Sequence, residues 1–343
     1  MRASSSERPT SIKDIARAAG VAHSTVSRAL RGSPSVRPET AVKIRRHAEE
    51  MGYKPSAIAR SLVTRKTQTI GVIVSSIGDP FNGQVVNGIE EVAHQNGYSL
   101  MLANARTDPD RVISVVRSFQ ERRVEGILVT ASRVGALYTP LISEMQVPIV
   151  LLNNRQEGKF VHSVTIDNFK AGCQATRHLI ELGHTRISYI GDRLGFQSNI
   201  ERFAGYQQAL SEAGITFRPE LVAHGDGRPK GGMQAMCNLL ATPERPTAVF
   251  CYNDMSSLGA LHAAKSRQVR VPKDLSVVGF DDMFFAPYLQ PPLTTIRQPK
   301  CGMGKRAMEL LLDLLAGKKP EKVVMIQGKL LVRSSTAPPE GKK

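Results

Sequence analysis

The chain is poor in the residues that build metal sites, disulfide frameworks and stacked-ring sites. It contains no tryptophan, and only 5% of its 343 residues are aromatic. Four cysteines are never spaced as CxxC, and eight histidines form no HxxxH or HxxEH pattern. These absences argue against the common zinc spacings. We interpret the cysteines as small buried residues in a reducing compartment and expect neither a metal nor another cofactor.

Long apolar runs and catalytic loop motifs are also missing. No run of about 18 apolar residues occurs, and the first ten residues, MRASSSERPT, lack the apolar region of a secretory signal. There is no GxSxG, no Walker loop and no GxGxxG after a strand to supply a nucleophile or bind phosphate. The sequence therefore predicts a cytoplasmic protein without a membrane partner, and it argues against an enzyme.

What the chain does have is positive charge, concentrated at one end. The formal net charge is +16 and the isoelectric point is near 9.9. Residues 1–68 hold 14 of the 46 basic residues but only 5 of the 30 acidic ones, a net charge of +9. A basic unit attached to a larger ordinary one is typical of a nucleic-acid-binding headpiece. On charge alone, a solvated basic surface is an equal alternative.

Residues 10–52 have the spacing of three short helices. Thr10 or Ser11 can cap the first, and Gly20 is placed to end it. Pro38 can open the third. The apolar side of the second consists of Val26, Ala29 and Leu30. Two helices joined by a short turn and braced by a third predict a helix-turn-helix whose second helix enters the major groove.

The following segment, residues 53–62, has a proline start and helical spacing but is too short to be a stable helix alone. Residues 64–68 are a polar linker. After the linker, apolar strand-like runs alternate with amphipathic helices, which indicates parallel sheets covered on both faces. At least eight such strands occur, so we predict two doubly wound subdomains. Polar sequences follow several strands, where ligands bind in such sheets.

Residues 10–30 closely resemble the headpiece of the LacI/GalR family, the relatives of the lactose, galactose and purine repressors. The resemblance continues in family order to about residue 335, through residues 53–62, 79–81, 164–168, 178–184, 202–206, 253–254, 278–281 and 293–299. It implies an all-α helix-turn-helix headpiece plus an α/β body of the periplasmic-binding-protein type with two doubly wound parallel-sheet subdomains.

The resemblance also implies domain boundaries. The DNA-binding domain is expected at 10–54 and the hinge helix with its linker at 55–68. The body, 69–335, divides into 69–168 with 298–327 and 169–297 with 328–335. The last residues, 336–343, are expected to be a disordered tail.

For DNA, the resemblance puts His23 and Ser24 at the variable specificity positions, with Arg28 as a further base or phosphate contact. Phosphate positioning is favoured for Lys13, Thr25 and Ser27. The hinge helix would include Ala57 and would insert Leu62 as an apolar wedge between base steps of the minor groove. Arg37 stands where relatives usually carry a capping hydroxyl, so that helix cap is expected to be weaker.

For the effector, the resemblance implies a cleft lined by Asp79, Phe81, Asn82, Asn153, Arg202, Gly227, Asn253 and Asp281. Two departures stand out: Gly227, followed by Arg228, replaces a common aromatic ring, and Asn153 replaces a common acid. We therefore expect a pocket with less aromatic surface and fewer acids. With Arg155, Arg202 and Arg228 nearby, it could favour a sugar acid or a sugar phosphate; a neutral sugar is the alternative.

The resemblance implies a homodimeric transcription regulator, a repressor, that binds double-stranded operator DNA of near-palindromic sequence under small-molecule control. No leucine heptads follow Arg333, so no tetramerisation helix is predicted. Two alternatives are a solute-binding protein with the same body and an enzyme using carboxylates such as Asp167, Asp254, Asp281 and Asp282. The missing signal peptide and the headpiece oppose the first, and the missing catalytic motifs oppose the second.

Overall fold

A computed structural model describes residues 10–53, 61, 66–104, 109–130, 146–154 and 161–340. The chain divides into two compact units, one ending at Thr67 and the other running from Gln68 to Lys343. Among the described residues, no helix is both long and apolar enough to cross a membrane.

The first unit contains three helices: α1 (Ile12–Ala19), α2 (His23–Leu30) and α3 (Pro38–Glu50). Asp14 begins α1 firmly, because its carboxylate accepts hydrogen bonds from the Ser11 N–H at 2.9 Å and hydroxyl at 2.6 Å. Gly20 ends α1 in the left-handed conformation at φ 69°, as glycine allows without a Cβ clash. The helices enclose one small core formed by Ile15, Ala16, Ala19, Val26, Ala29, Val36, Ile44 and Ala48.

The second unit contains two six-stranded sheets. The first sheet has the order β11-β5-β4-β3-β1-β2 and is parallel throughout. Its strands are β1 (Thr69–Val74), β2 (Ser99–Asn104), β3 (Gly126–Thr130), β4 (Ile149–Leu152), β5 (Val161–Ile166) and β11 (Val323–Ile326). Helices α4 (Pro80–Gln95), α5 (Pro109–Glu121) and α10 (Lys300–Leu315) belong to this subdomain.

The second sheet has the order β12-β10-β9-β8-β6-β7, with only the β10–β12 pair antiparallel. Its strands are β6 (Ile187–Asp192), β7 (Val222–Gly225), β8 (Ala248–Cys251), β9 (Ser276–Asp281), β10 (Thr294–Arg297) and β12 (Lys329–Leu331). Its helices are α6 (Asn168–Glu181), α7 (Gln197–Glu212), α8 (Pro229–Leu240) and α9 (Asp254–Ser266). Strands β6, β8 and β9 are buried along their whole length, as parallel strands covered on both faces must be.

The chain passes between the two sheets three times, after β5, after β10 and after β11. The two sheets therefore form two subdomains that share the chain. Two doubly wound parallel-sheet subdomains were predicted, and this fold class is confirmed. Among the described strands, those that the sequence pattern missed are β7, β10, β11 and β12. Each has at least one residue that is not buried, whereas the equally short β4 and β8 are buried throughout.

The C-terminal segment corrects one expectation, the disordered tail at 336–343. The main-chain oxygen of Ala337 lies 2.9 Å from His184 Nε2 and accepts a hydrogen bond from the Ser276 hydroxyl at 3.0 Å. The Ala337 N–H in turn donates to Ser276 Oγ at 3.0 Å. Disorder is thus wrong for the described part, residues 336–340, because buried polar groups of the second subdomain take the tail as their hydrogen-bond partner.

Candidate functional site

Helix α2 of the first unit turns a polar surface outward. Its buried side consists of Val26 and Ala29, which anchors the helix to the three-helix core. His23, Ser24 and Arg28 are exposed, as is Lys13 of α1. Thr25 and Ser27 are half-buried beside them. A short helix held from one side with small polar residues at its N-terminal end has the shape required to approach base edges in a groove.

Two of the predicted DNA-contacting residues, Ala57 and Leu62, lie outside the described residues. So does Arg155 of the predicted effector pocket. Arg37 precedes α3 as its N-cap, and its side chain makes no capping hydrogen bond. The weaker cap expected from the sequence is therefore present in the structure.

A cavity of about 840 Å³ lies in the second unit, between the carboxyl ends of the two sheets. All eight residues predicted for an effector site line it: Asp79, Phe81, Asn82, Asn153, Arg202, Gly227, Asn253 and Asp281. The volume is in the range of small-molecule sites. Within the described residues, no group of three or more His, Cys, Asp or Glu side chains is arranged to hold a metal ion.

The wall from the first subdomain is the N-terminal end of α4. Asp79 caps this helix by accepting the Phe81 N–H at 2.9 Å, and burial raises the pKa of its carboxyl. Asn82 is buried and donates to Ser75 Oγ at 3.2 Å and to the main-chain oxygen of Ser76 at 2.9 Å. It also accepts from the Thr130 hydroxyl at 2.9 Å. Asn82 therefore shapes the wall through bonds within its own subdomain.

Arg202 of α7 is the buried cation of the opposite wall, only 2% exposed. Its Nε donates to Asn168 Oδ1 at 2.9 Å, and its Nη1 donates to the main-chain oxygen of Tyr252 at 2.7 Å. The guanidinium stacks on the Phe280 ring at 3.5 Å from the centroid, and Nη1 lies 3.9 Å from Asp281 Oδ1. Its charge is thus largely neutralised and its planar face covered before any ligand enters.

A chain of hydrogen bonds connects Asp281 to the first subdomain across the cleft floor. Gln298 Nε2 donates to Asp281 Oδ1 at 2.6 Å, and Asn153 Nδ2 donates to Gln298 Oε1 at 3.3 Å. Burial raises the pKa of Asp281 to about 6, against the lowering effects of Arg202 and Lys300. Asn153 Oδ1 is buried, and among the described residues none donates a hydrogen bond to it. This series of hydrogen bonds therefore ends at Asn153 Oδ1, and a ligand hydroxyl is a candidate donor to that oxygen.

Asn253 and Gly227 form the remaining predicted part of the second wall. Asn253 caps α9 by accepting the Ser256 N–H at 2.8 Å, and its Nδ2 donates to the main-chain oxygen of Gly227 at 3.0 Å. Gly227 has φ 74°, a left-handed conformation in which any other residue is strained. This pair fixes the loop that carries Arg228 into the cavity lining.

The cavity contains more aromatic and acidic side chains than the sequence suggested. Besides Phe81, the rings of Phe196 and Tyr252 line it, and so do three carboxylates, those of Asp79, Asp226 and Asp281. The expectation of less aromatic surface and fewer acids than in relatives stays a prediction. It rested on two positions, Gly227 and Asn153, whereas Phe196 comes from a loop that gives no sequence signal.

Comparisons with known proteins agree with this geometry. A family model for bacterial regulatory proteins of the lacI family matches residues 11–56, and one for a periplasmic binding protein-like domain matches residues 176–336. The HTH-type transcriptional repressor PurR of Mannheimia succiniciproducens is 34% identical over 326 residues, which cover 94% of this chain and 98% of that protein.

Two solved structures are similar over the same length. The lac repressor dimer bound to operator and an anti-inducer has a TM-score of 0.87 at 27% identity, covering 96% of this chain and all of that one. The complex of the transcriptional regulator CelR with cellobiose has a TM-score of 0.73 at 32% identity, with the same coverage of 96% and 100%. The chain belongs to the LacI family and is a DNA-binding transcription regulator controlled by a small-molecule ligand.

Proposed function

We propose that the protein is a repressor that binds a near-palindromic operator as a homodimer, with an effector in the 840 Å³ cavity setting its affinity for DNA. The observation that carries the proposal is the division of one chain into a basic helical unit with an exposed polar helix and an α/β unit with a cavity lined by polar and aromatic side chains. Because operators are chromosomal, we place the protein in the cytoplasm.

In this proposal His23, Ser24 and Arg28 contact base edges, while Lys13, Thr25 and Ser27 contact phosphates. Ala57 and Leu62 act in the minor groove. The exposure of α2's polar side supports the first assignment. Selection from a random DNA library tests it: His23→Ala should change the preferred bases, whereas Lys13→Ala should weaken binding to all sequences equally. An unchanged base preference in both variants would contradict the assignment.

For the effector we propose a neutral, hydroxyl-rich molecule, such as a sugar, held by Asp79, Phe81, Asn82, Asn153, Arg202, Gly227, Asn253 and Asp281. Three lining carboxylates oppose two arginines, and Arg202 is already engaged by Asp281 and by the main-chain oxygen of Tyr252. Of the two arginines among the described lining residues, only Arg228 offers an exposed guanidinium. The aromatic rings supply apolar faces for the C–H side of a sugar. The related CelR was solved with cellobiose.

A thermal-shift screen with matched neutral sugars, sugar acids and sugar phosphates tests the effector class. We expect neutral sugars to raise the melting temperature. Arg228→Gln should preserve the binding of a neutral sugar, whereas Asp281→Asn should weaken it. A response confined to the acids or phosphates and lost in Arg228→Gln would reverse the assignment and favour an anionic effector.

A further inference from the structure

Lys300 has an unusual position that the cavity lining does not explain. It is the first residue of α10, which belongs to the first subdomain, and it is only 5% exposed. Its ammonium donates to the main-chain oxygen of Asp281, and to that of Asp282 at 2.9 Å. Both acceptors belong to the second subdomain, at the end of β9. One side chain thus joins the two subdomains at the floor of the cleft.

Lys300 does not stabilise α10, the helix that it begins. A cation at a helix N-terminus opposes the helix dipole, and a buried ammonium loses its hydration. Burial accordingly lowers the pKa of Lys300, against the opposite effects of Asp281, Asp254 and Asp282. A residue placed at a cost to its own helix must contribute elsewhere, and its hydrogen bonds point to the backbone of β9.

That backbone is strained at the point where Lys300 holds it. Asp281 has φ 115° and Asp282 has φ 50°, both in the left-handed region that residues with a side chain adopt at a cost. This conformation turns the Asp281 carboxylate toward Gln298 Nε2, at 2.6 Å, and toward the cavity. The ammonium binds both carbonyl oxygens, so it stabilises the conformation that directs the carboxylate.

Helix α10, which carries Lys300, is itself held firmly in the first subdomain. Helix α10 lies against α4 at such short range that a Cβ at Gly88 would overlap the main-chain oxygen of Cys301, and a Cβ at Gly304 would overlap that of Val85. The N-terminal end of α4 carries Asp79 and Phe81 of the facing cleft wall. Lys300 therefore connects the carboxylate on one wall to the rigid helix pair that forms the other.

We propose that Lys300 is the positioning residue of the effector cleft, which holds Asp281 in its left-handed conformation and ties it to the α4–α10 pair. The importance of Asp281 for the effector rests on the proposed function, but the positioning itself is a property of the ligand-free protein. It is therefore tested without a ligand.

The test follows the Asp281 carboxyl carbon by NMR in the full chain labelled at aspartate, with the signal assigned from its loss in Asp281→Asn. In Lys300→Met the ammonium is removed, and the midpoint of the Asp281 titration should rise by roughly one pH unit or more. The other charged groups around this pair are Arg202, Asp79, Asp254, Asp282, Arg297 and Arg333, and all remain in the variant. Lys300→Arg should restore the midpoint.

Lys305→Met is the matched control, because Lys305 lies on the same helix and pairs at the surface with Glu91. It should leave the Asp281 titration unchanged. An unshifted Asp281 midpoint would overturn the proposal. Because loss of the ammonium charge raises the midpoint even where the backbone stays in place, the crystal structure of Lys300→Met decides the positioning role. We expect φ of Asp281 to change, and a structure that keeps it near 115° would overturn the proposal as well.

A ligand-binding experiment distinguishes failure of this inference from failure of the proposed function. With ribose and cellobiose as probes, failure of Asp281→Asn to change any binding would count against the effector site, while the NMR result on Lys300 would stand. If Asp281→Asn abolishes binding and Lys300→Met leaves it within twofold, the positioning role fails alone. We expect Lys300→Met to weaken binding roughly 10- to 100-fold, as for the loss of a charged buried hydrogen bond.

Discussion

At the scale of single residues, a strongly perturbed group near the cleft is the carboxyl of Asp254, the first residue of α9. It is fully buried, and its Oδ1 lies 2.6 Å from Thr295 Oγ1 while Oδ2 accepts the Met283 N–H at 2.7 Å. Burial, with repulsion from Asp281, raises its pKa to about 8. Asp254 therefore keeps its proton at neutral pH and acts as a neutral hydrogen-bonding group.

This pKa has a consequence for stability that can be measured. The folded value of about 8 lies above the ordinary value of 3.8, so the folded state binds the proton more tightly. The stabilisation is fully present below pH 3.8 and is lost as the pH rises through about 8. In a scanning calorimetry series, the melting temperature of the second unit should fall from roughly pH 4 to roughly pH 8 and should level off above that.

Asp254→Asn should flatten that fall. Asparagine is neutral at every pH in this range, and its side-chain oxygen can still accept the Met283 N–H. Asp274→Asn is the control, because hydrogen bonds from Arg270 lower the pKa of Asp274 to about 2, far from the tested range. An unchanged slope in Asp254→Asn would show that another group titrates there.

For single residues, the sequence predicted which residues line the cleft better than it predicted the contacts that they make. Polar residues after parallel strands converge at one sheet edge, so all eight predicted residues reach the cavity. Their partners depend on tertiary packing: Asn82 and Asn253 are used in bonds within the protein. Lys300 and Phe196 come from segments whose approach no local pattern encodes.

At the scale of secondary-structure elements, the α4–α10 pair fixes the first subdomain's wall of the cleft. Gly304→Ala should place a Cβ against the main-chain oxygen of Val85. Because backbone cannot move aside as a flexible side chain can, we expect a loss of about 2 kcal/mol in the free energy of unfolding, measured with urea.

Gly302→Ala is the control on the same helix, since its Cβ would lie at an ordinary 3.7 Å from Pro299 Cβ. Alanine is the better helix former, so this variant should be neutral or more stable by up to about 1 kcal/mol. Equal destabilisation in both variants would mean that the close approach of α4 and α10 is not the cause.

Helix α3 offers a test in which a substitution should increase stability. Arg37 is its N-cap and makes no side-chain capping bond, so Arg37→Ser should stabilise the helix by about 1 kcal/mol. Arg37→Ala removes the same charge without supplying a cap. Slower amide exchange of α3 in the serine variant than in the alanine variant would isolate the cap, and equal exchange would refute it.

The elements themselves were predictable where the pattern was long. The three helices of the first unit follow from apolar spacing, Gly20 and Pro38. Strand β12, with three residues, is too short for periodicity to distinguish. The C-terminal tail has a disordered composition, yet His184 and Ser276 hold it at Ala337, and composition cannot reveal partners that lie so far away in the chain.

At the scale of the whole molecule, the chain consists of two compact units whose boundary in the sequence lies between Thr67 and Gln68. All described residues that line the cavity belong to the second unit. Deleting residues 1–62 should therefore abolish operator binding in a gel-shift assay while leaving sugar binding, measured without DNA, unchanged, because every described residue that lines the cavity belongs to the second unit. Specific operator binding by the truncated protein would contradict the division of roles. A full chain with Lys305→Met serves as the control for both assays.

The composition of the cleft wall also makes the protein a convenient optical reporter. Phe196 lies half-buried in the cavity lining, and the chain has no tryptophan. A Phe196→Trp variant would therefore carry a single indole, whose emission colour depends on the polarity around it. Excitation at the red edge of the indole absorption band would not excite the seven tyrosines. The emission would therefore report from this one position when a ligand fills the cleft.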